Sequence, residues 1–214
     1  MTDKFDSIGF DLDGTLWDGT GAIEKAWLSV LPNRAEIERI PSSEEIKGVM
    51  GLPMPAIVKK LFPYLDSQQS HELMEVCKSA EQSYIRANGG KLFEGLENVL
   101  KELISMGYKL YIVSNCQDGY IAAFLEHYGF EKYFSDYECI GHTGKSKGKN
   151  IKAVIERNRF KKSIYIGDTQ GDCDGATEAG VPFIFAEYGF GNPMKYFDKL
   201  ERITDLTAKA YIKL

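Results

Sequence analysis

Two carboxylates two residues apart, Asp11 and Asp13, stand directly after an apolar run containing Phe5, Ile8 and Phe10, and Gly14 and Thr15 follow at once. The apolar run reads as a short buried strand, and side chains at i and i+2 of an extended backbone point to one face. Like charges on one face repel, and a bound divalent cation is the usual reason a fold keeps them; magnesium takes oxygen ligands of this kind. The competing reading is an ordinary Asp-Gly turn carrying two solvated acids. Later features favour the first reading: Ser114 after the run 108–113, a loop with Lys145, Lys147 and Lys149, and Gly167-Asp168-Thr169 after the run 163–166. Phosphoryl chemistry asks for this set: a nucleophile, a proton donor, a cation, and donors for the phosphoryl oxygens.

Positioning these groups is the task of a strand-helix alternation. Strands are predicted at 5–10, 108–113, 137–140, 163–166 and 182–185. Between them, Leu96, Val99, Leu100, Leu103 and Ile104 form the stripe of a helix laid on a sheet. Further helices are predicted from Asp118 through Ile121, Phe124, Leu125 and Tyr128, over 150–157, and over 172–179. Such alternation means an α/β fold with a doubly wound parallel sheet, a Rossmann-like core. Ligands of these sheets bind outside the carboxyl ends of the strands, so Asp11, Ser114 and Asp168 would meet at one edge.

Residues 17–89 break the alternation and read as helical, with no convincing strand. Ile23, Ala26, Trp27 and Val30 fall at helical spacing, and Ser42 to Glu45 has the spacing of a capping box. Asp66 reads as the N-cap of a long helix carrying Leu73, Val76, Cys77, Ala80 and Tyr84, which Asn88-Gly89-Gly90 ends as a return linker. Expected domains are therefore a core of 1–16 plus 90–214 and a small helical domain, 17–89, inserted after the first strand.

The chain has 214 residues and 43% hydrophobic composition, enough for a sizeable core. Its 26 basic and 31 acidic residues give a net charge of −5, which argues against a generic nucleic-acid binder. Cys77, Cys116, Cys139 and Cys173 form no CxxC pair, against a zinc site or disulfide framework and in favour of free thiols in a reducing compartment. No apolar run approaches ~20 residues, and Met1 to Phe10 has no signal-peptide pattern, so a cytoplasmic protein without a membrane partner is expected. Gly144-Lys145-Ser146 resembles the end of a P-loop, but the glycine required five positions earlier is Cys139.

Asp11-Leu12-Asp13-Gly14-Thr15, Val113-Ser114-Asn115, a lysine best placed at Lys147, and Ile166-Gly167-Asp168-Thr169-Gln170-Gly171-Asp172 together resemble the four motifs of the haloacid dehalogenase-like hydrolases, in their phosphoglycolate phosphatase branch. The resemblance implies a magnesium-dependent phosphatase of a small phosphorylated metabolite, monomer or homodimer. It implies Asp11 as nucleophile, Asp13 as acid and base, and magnesium on Asp11, Asp168 and the backbone carbonyl of Asp13. Ser114, the Asn115 amide and Lys147 would hold the phosphoryl group, with Asp172 as an outer acid or, equally, the N-cap of the next helix. Lys147 leads among the three lysines because the family lysine sits just before a helix, which fits Ile151, Val154 and Ile155, although Gly148 stands where Pro is common.

The inserted domain resembles the family's helical cap, and its loop 47–55, with Gly51, Leu52 and Pro53 at the tip, would face the substrate. The β-phosphoglucomutase branch has an Arg in this loop; none is present here, which argues against a phosphomutase and a bisphosphate substrate. Asp13 argues against a dehalogenase, whose halide leaves without a proton. A receiver-type phospho-acceptor shares some of these groups, but is shorter and has no insertion after its first strand. Phosphoglycolate is the substrate the resemblance suggests first, with sugar phosphates, nucleotides and pyrophosphate open.

Overall fold

The computed structural model describes residues 5–213, so residues 1–4 and 214, including Asp3 and the two ends of the expected core, lie outside the described residues. The first strand, β1 (Ser7–Phe10), leads through Asp11 to a short strand, β2 (Trp17–Asp18). Four helices follow: α1 (Thr20–Leu28), α2 (Ser43–Lys47), α3 (Met54–Leu61) and the long α4 (Ser67–Asn88). The chain returns through β3 (Lys91–Leu92) to α5 (Leu96–Ser105), β4 (Lys109–Ser114), α6 (Tyr120–Tyr128), β5 (Phe134–Cys139) and α7 (Ile140–Thr143). It closes with α8 (Lys147–Asn158), β6 (Ser163–Gly167), α9 (Gln170–Ala179), β7 (Phe183–Ala186), β8 (Asp198–Leu200) and α10 (Ala210–Lys213).

Six strands form one parallel sheet in the order β5-β4-β1-β6-β7-β8. This is the expected doubly wound architecture, with one strand more than the five predicted. The extra strand, β8, reads Asp-Lys-Leu and has no apolar run to announce it; pairing with β7 defines it. The centre of the sheet explains the site. β1 lies between β4 and β6, so Asp11, Ser114 and Asp168 end three neighbouring strands. Phe10 is opposite both Ile112 and Ile166, which sets the strand ends level. The chain also reverses its winding direction beside β1, the usual place for a ligand crevice in such sheets.

Side-chain alternation along the central strands builds two apolar layers. Leu110 and Ile112 of β4 join one core with Ile8, Phe10 and Ile166; Tyr111 and Val113 join the other with Ile151, Val154 and Tyr165. The second layer places α8, and with it Lys147, against the sheet.

The insertion leaves through β2 and returns through β3, which pair antiparallel, Trp17 opposite Leu92. This two-stranded ribbon corrects the expectation of no strand in 17–89; two residues per strand are too few to leave an alternation. The capping box of Ser42 with Glu45 forms as expected, and Asp66 N-caps α4 as expected, with Gln69 completing a second capping box. Two other expectations are corrected. Helix α6 starts after Gly119 in a left-handed conformation, with no side-chain cap from Asp118. Val30 falls beyond α1, which ends at Leu28. All four cysteines are free, and among the described residues no helix is long and apolar enough to cross a membrane.

Ile112 is fully buried in the central strand pair. Ile112→Ala is expected to destabilise the chain by about 2–5 kcal/mol in urea unfolding. The exposed Met194 changed to Ala should alter it by no more than about 0.5 kcal/mol.

Candidate active site

Asp11 is 1% exposed and stands at the end of β1, where its N–H donates to Ile166 O at 2.8 Å. Its Oδ1 accepts from Lys147 Nζ at 2.9 Å. The same ammonium donates to Asp172 Oδ1 at 2.5 Å. Lys147 is buried at the first position of α8, whereas Lys145 and Lys149 are exposed, so burial selects one lysine of the three. The glycine after it has a steric reason: a Cβ on Gly148 would lie 2.5 Å from Glu178 Cβ, where α8 crosses α9. Burial alone would lower the Lys147 pKa, but the charges of Asp11 and Asp172 outweigh it and hold the ammonium protonated.

Asp168 follows β6 and is fully buried. Its Oδ2 accepts from Phe190 N at 2.7 Å, so the loop after β7 fixes this carboxylate. Gly189 and Gly14 make that approach possible. A Cβ on Gly189 would come within 2.3 Å of Asp168 Cβ, and one on Gly14, at φ +82°, within 2.3 Å of Asp168 Oδ2.

Asp172 is not the N-cap of α9. Thr169 holds that position and Asp172 is the partner acid of its capping box, because the helix starts two residues earlier than predicted. Asp172 Oδ2 accepts from Thr169 N at 2.8 Å, Thr169 Oγ1 at 2.6 Å and Asp168 N at 3.2 Å. Both its oxygens are therefore committed. Asp11 Oδ2 and Asp168 Oδ1, by contrast, are buried with no hydrogen-bond partner. One ligand oxygen from each of Asp11, Asp168 and Asp172 lies within 4.8 Å of the others. Burial, with mutual repulsion among these acids, raises Asp11 to about 6 and Asp168 to about 8.

Asp13 points elsewhere. Its Oδ1 accepts from Tyr120 OH at 3.0 Å, and Gly19 leaves the space it occupies. Burial, and then the Asp11 charge, push its carboxyl up to about 8. Asp13, Ser114, Asn115, Gly51 and Leu52 line one cavity of about 40 Å³. Pro53 lines an adjoining cavity with Asn115 and N-caps α3. The two halves are tied where Asn115 Nδ2 donates to Gly51 O at 3.0 Å.

Glu81 also lines the 40 Å³ cavity and was missed by the sequence reading. It is 2% exposed on the inner face of α4. Trp27 Nε1 donates to its Oε1 at 2.6 Å, and Gln117 Nε2 donates to its Oε2. The signal was present: Glu81 is four residues from both Cys77 and Ile85, on a stripe that is otherwise apolar.

Residues 8–186 match the family model of the haloacid dehalogenase-like hydrolases. The phosphoglycolate phosphatase of Rhodobacter capsulatus is 28% identical over 186 residues, covering 85% of this chain and 84% of that one. A haloacid dehalogenase-like hydrolase of Streptococcus pneumoniae superposes with a TM-score of 0.80 at 24% identity, covering 97% of this chain and 99% of the other. The CbbY protein of Rhodobacter sphaeroides, solved with phosphate, gives 0.82 at 14% identity, over 98% and 100% of the two chains. The chain belongs to the haloacid dehalogenase-like hydrolases.

Burial raises Glu81 from its ordinary 4.5 to about 7. The folded state therefore holds this proton more tightly than the unfolded chain does, and the associated stability, complete below the ordinary value, is lost as pH rises towards 7. Glu81→Gln removes that loss. The thermal stability of the variant relative to wild type should rise between about pH 5 and about pH 8; a difference that does not move with pH contradicts the assignment.

Proposed function

We propose that this chain hydrolyses a small phosphate monoester in a magnesium-dependent reaction through an aspartyl-phosphate on Asp11, in the manner of a phosphoglycolate phosphatase. The observation that carries this reading is the pair of buried, unpartnered oxygens, Asp11 Oδ2 and Asp168 Oδ1, beside one ammonium. A hard cation with oxygen ligands fits that pair, and Asp11, Asp168 and the backbone carbonyl of Asp13 would hold it. Bound there, magnesium supplies positive charge against the phosphoryl oxygens.

The Asp11 carboxylate attacks phosphorus as the bond to the alcohol oxygen breaks. Asp13, protonated at neutral pH, gives its proton to that oxygen and the alcohol leaves. It then takes a proton from the water that attacks the aspartyl-phosphate, releasing phosphate and restoring Asp11. The raised Asp13 carboxyl supports the first of these roles. Ser114, the Asn115 amide and Lys147 bind the phosphoryl oxygens, and Asp172 orients Lys147.

Residues 17–89 act as a cap over a core of 1–16 and 90–214, and the Asn115 contact to Gly51 supports a cap loop that helps close the site. The arginine-free loop supports a phosphatase over a phosphomutase. The partner is a small metabolite rather than nucleic acid or membrane, and the four free thiols support a cytoplasmic setting.

Release of p-nitrophenol from p-nitrophenyl phosphate should require magnesium and should disappear in Asp11→Asn with the fold retained. Asp13→Asn should slow alkyl phosphate hydrolysis by about 10²–10⁴-fold. Intact mass of that variant after exposure to substrate should include a fraction gaining one phosphoryl group. Near-wild-type turnover by Asp11→Asn would remove it from the nucleophile role.

A further inference from the structure

Glu81 has no part in the reaction above, yet it is buried in the wall of the cavity that Asp13 and Ser114 also line. Asp13, Ser114 and Asn115 come from the core side of that cavity; Trp27, Met50 and Glu81 come from 17–89. The leaving alcohol must occupy it, because Asp13 has to reach the leaving oxygen. No lysine, arginine or histidine lines the cavity among the described residues, so its ionisable acids are Asp13 and Glu81.

We propose that Glu81 selects the alcohol: the site, taken as the phosphatase described above, accepts monoesters whose alcohol ends in a hydrogen-bond donor, ammonium or hydroxyl, and disfavours those ending in a carboxylate. Each Glu81 oxygen already accepts one donor, from Trp27 and from Gln117, so what remains to the substrate is acceptor lone pairs. An ammonium or hydroxyl satisfies them. A carboxylate arriving there would meet a second anion with no cation among the lining residues. Gln117 belongs to the loop after β4, so its bond to Glu81 ties the long cap helix α4 to the core and fixes the selecting group only when the two halves are together.

The test is phosphate release with magnesium at mildly alkaline pH from phosphoethanolamine, glycerol 3-phosphate, phosphoglycolate and ribose 5-phosphate, with p-nitrophenyl phosphate as an activated control. Wild type should favour phosphoethanolamine or glycerol 3-phosphate over phosphoglycolate by at least about tenfold in kcat/KM. Glu81→Gln, which keeps an acceptor for Trp27 but loses the charge, should shrink that ratio by about tenfold through the KM of the donor-ended esters. Hydrolysis of the control with phosphoglycolate as the best ester overturns the inference and leaves the phosphatase reading standing. An equal loss on every ester in Glu81→Gln also overturns it. Absence of magnesium-dependent release from all five overturns both.

Discussion

One electrostatic constraint organises this molecule: three carboxylates, Asp11, Asp168 and Asp172, are held together out of water with one ammonium, Lys147, among them. Buried charge without compensation is among the costliest arrangements a fold can hold. Asp172 is compensated within the protein, by Lys147 and three donors from residues 168 and 169. Asp11 and Asp168 are compensated only in part: Asp11 shares Lys147 and Asp168 accepts from Phe190 N, but each keeps a buried oxygen without a partner. Much of the surrounding structure serves that pair. Neighbouring strands deliver them at one level, Gly14 and Gly189 allow close approach to Asp168, and Gly175 leaves 3.0 Å between a would-be Cβ and the Lys147 stem.

The helical insertion adds a second, more apolar chemistry to this centre. Its loop meets the core through Asn115 and Gly51, and its long helix through Glu81 and Gln117, with Gln82 donating to Asp118 O at 2.6 Å. In the proposed reaction the phosphoryl-binding groups would come from the sheet edge, and the surface facing the alcohol mainly from residues 17–89. Such a division would let one centre serve different alcohols by changing the helical wall, in which a polar residue carries more information than the apolar ones around it.

The sheet and the residues at its edge were legible in the sequence because each stands where an apolar run stops: Asp11 after Phe10, Ser114 after Val113, Asp168 after Gly167. Pairing of β1 with both β4 and β6 could only be inferred from fold rules, and it is what turns three strand ends into one place. Its place before a helix put Lys147 ahead of Lys145 and Lys149, and burial, set by how α8 packs on α9 around Gly148, singles it out. The strand β8 and the ribbon of β2 and β3 are products of tertiary pairing and have almost no local pattern. Asp172 looked like a cap because capping acids and capping-box acids differ by three positions, and only the backbone at Thr169 decides between them. Glu81 was overlooked for the opposite reason: its stripe was read for apolar residues, and the polar exception was the informative one.

The central claim is that the unpartnered oxygens of Asp11 and Asp168 hold one divalent ion between them. Titration calorimetry of magnesium into the wild-type chain and into Asp168→Asn addresses it most directly. One ion per wild-type chain, with binding lost in the variant, is the predicted result. Equal binding by both proteins, or none by the wild type, would contradict the account.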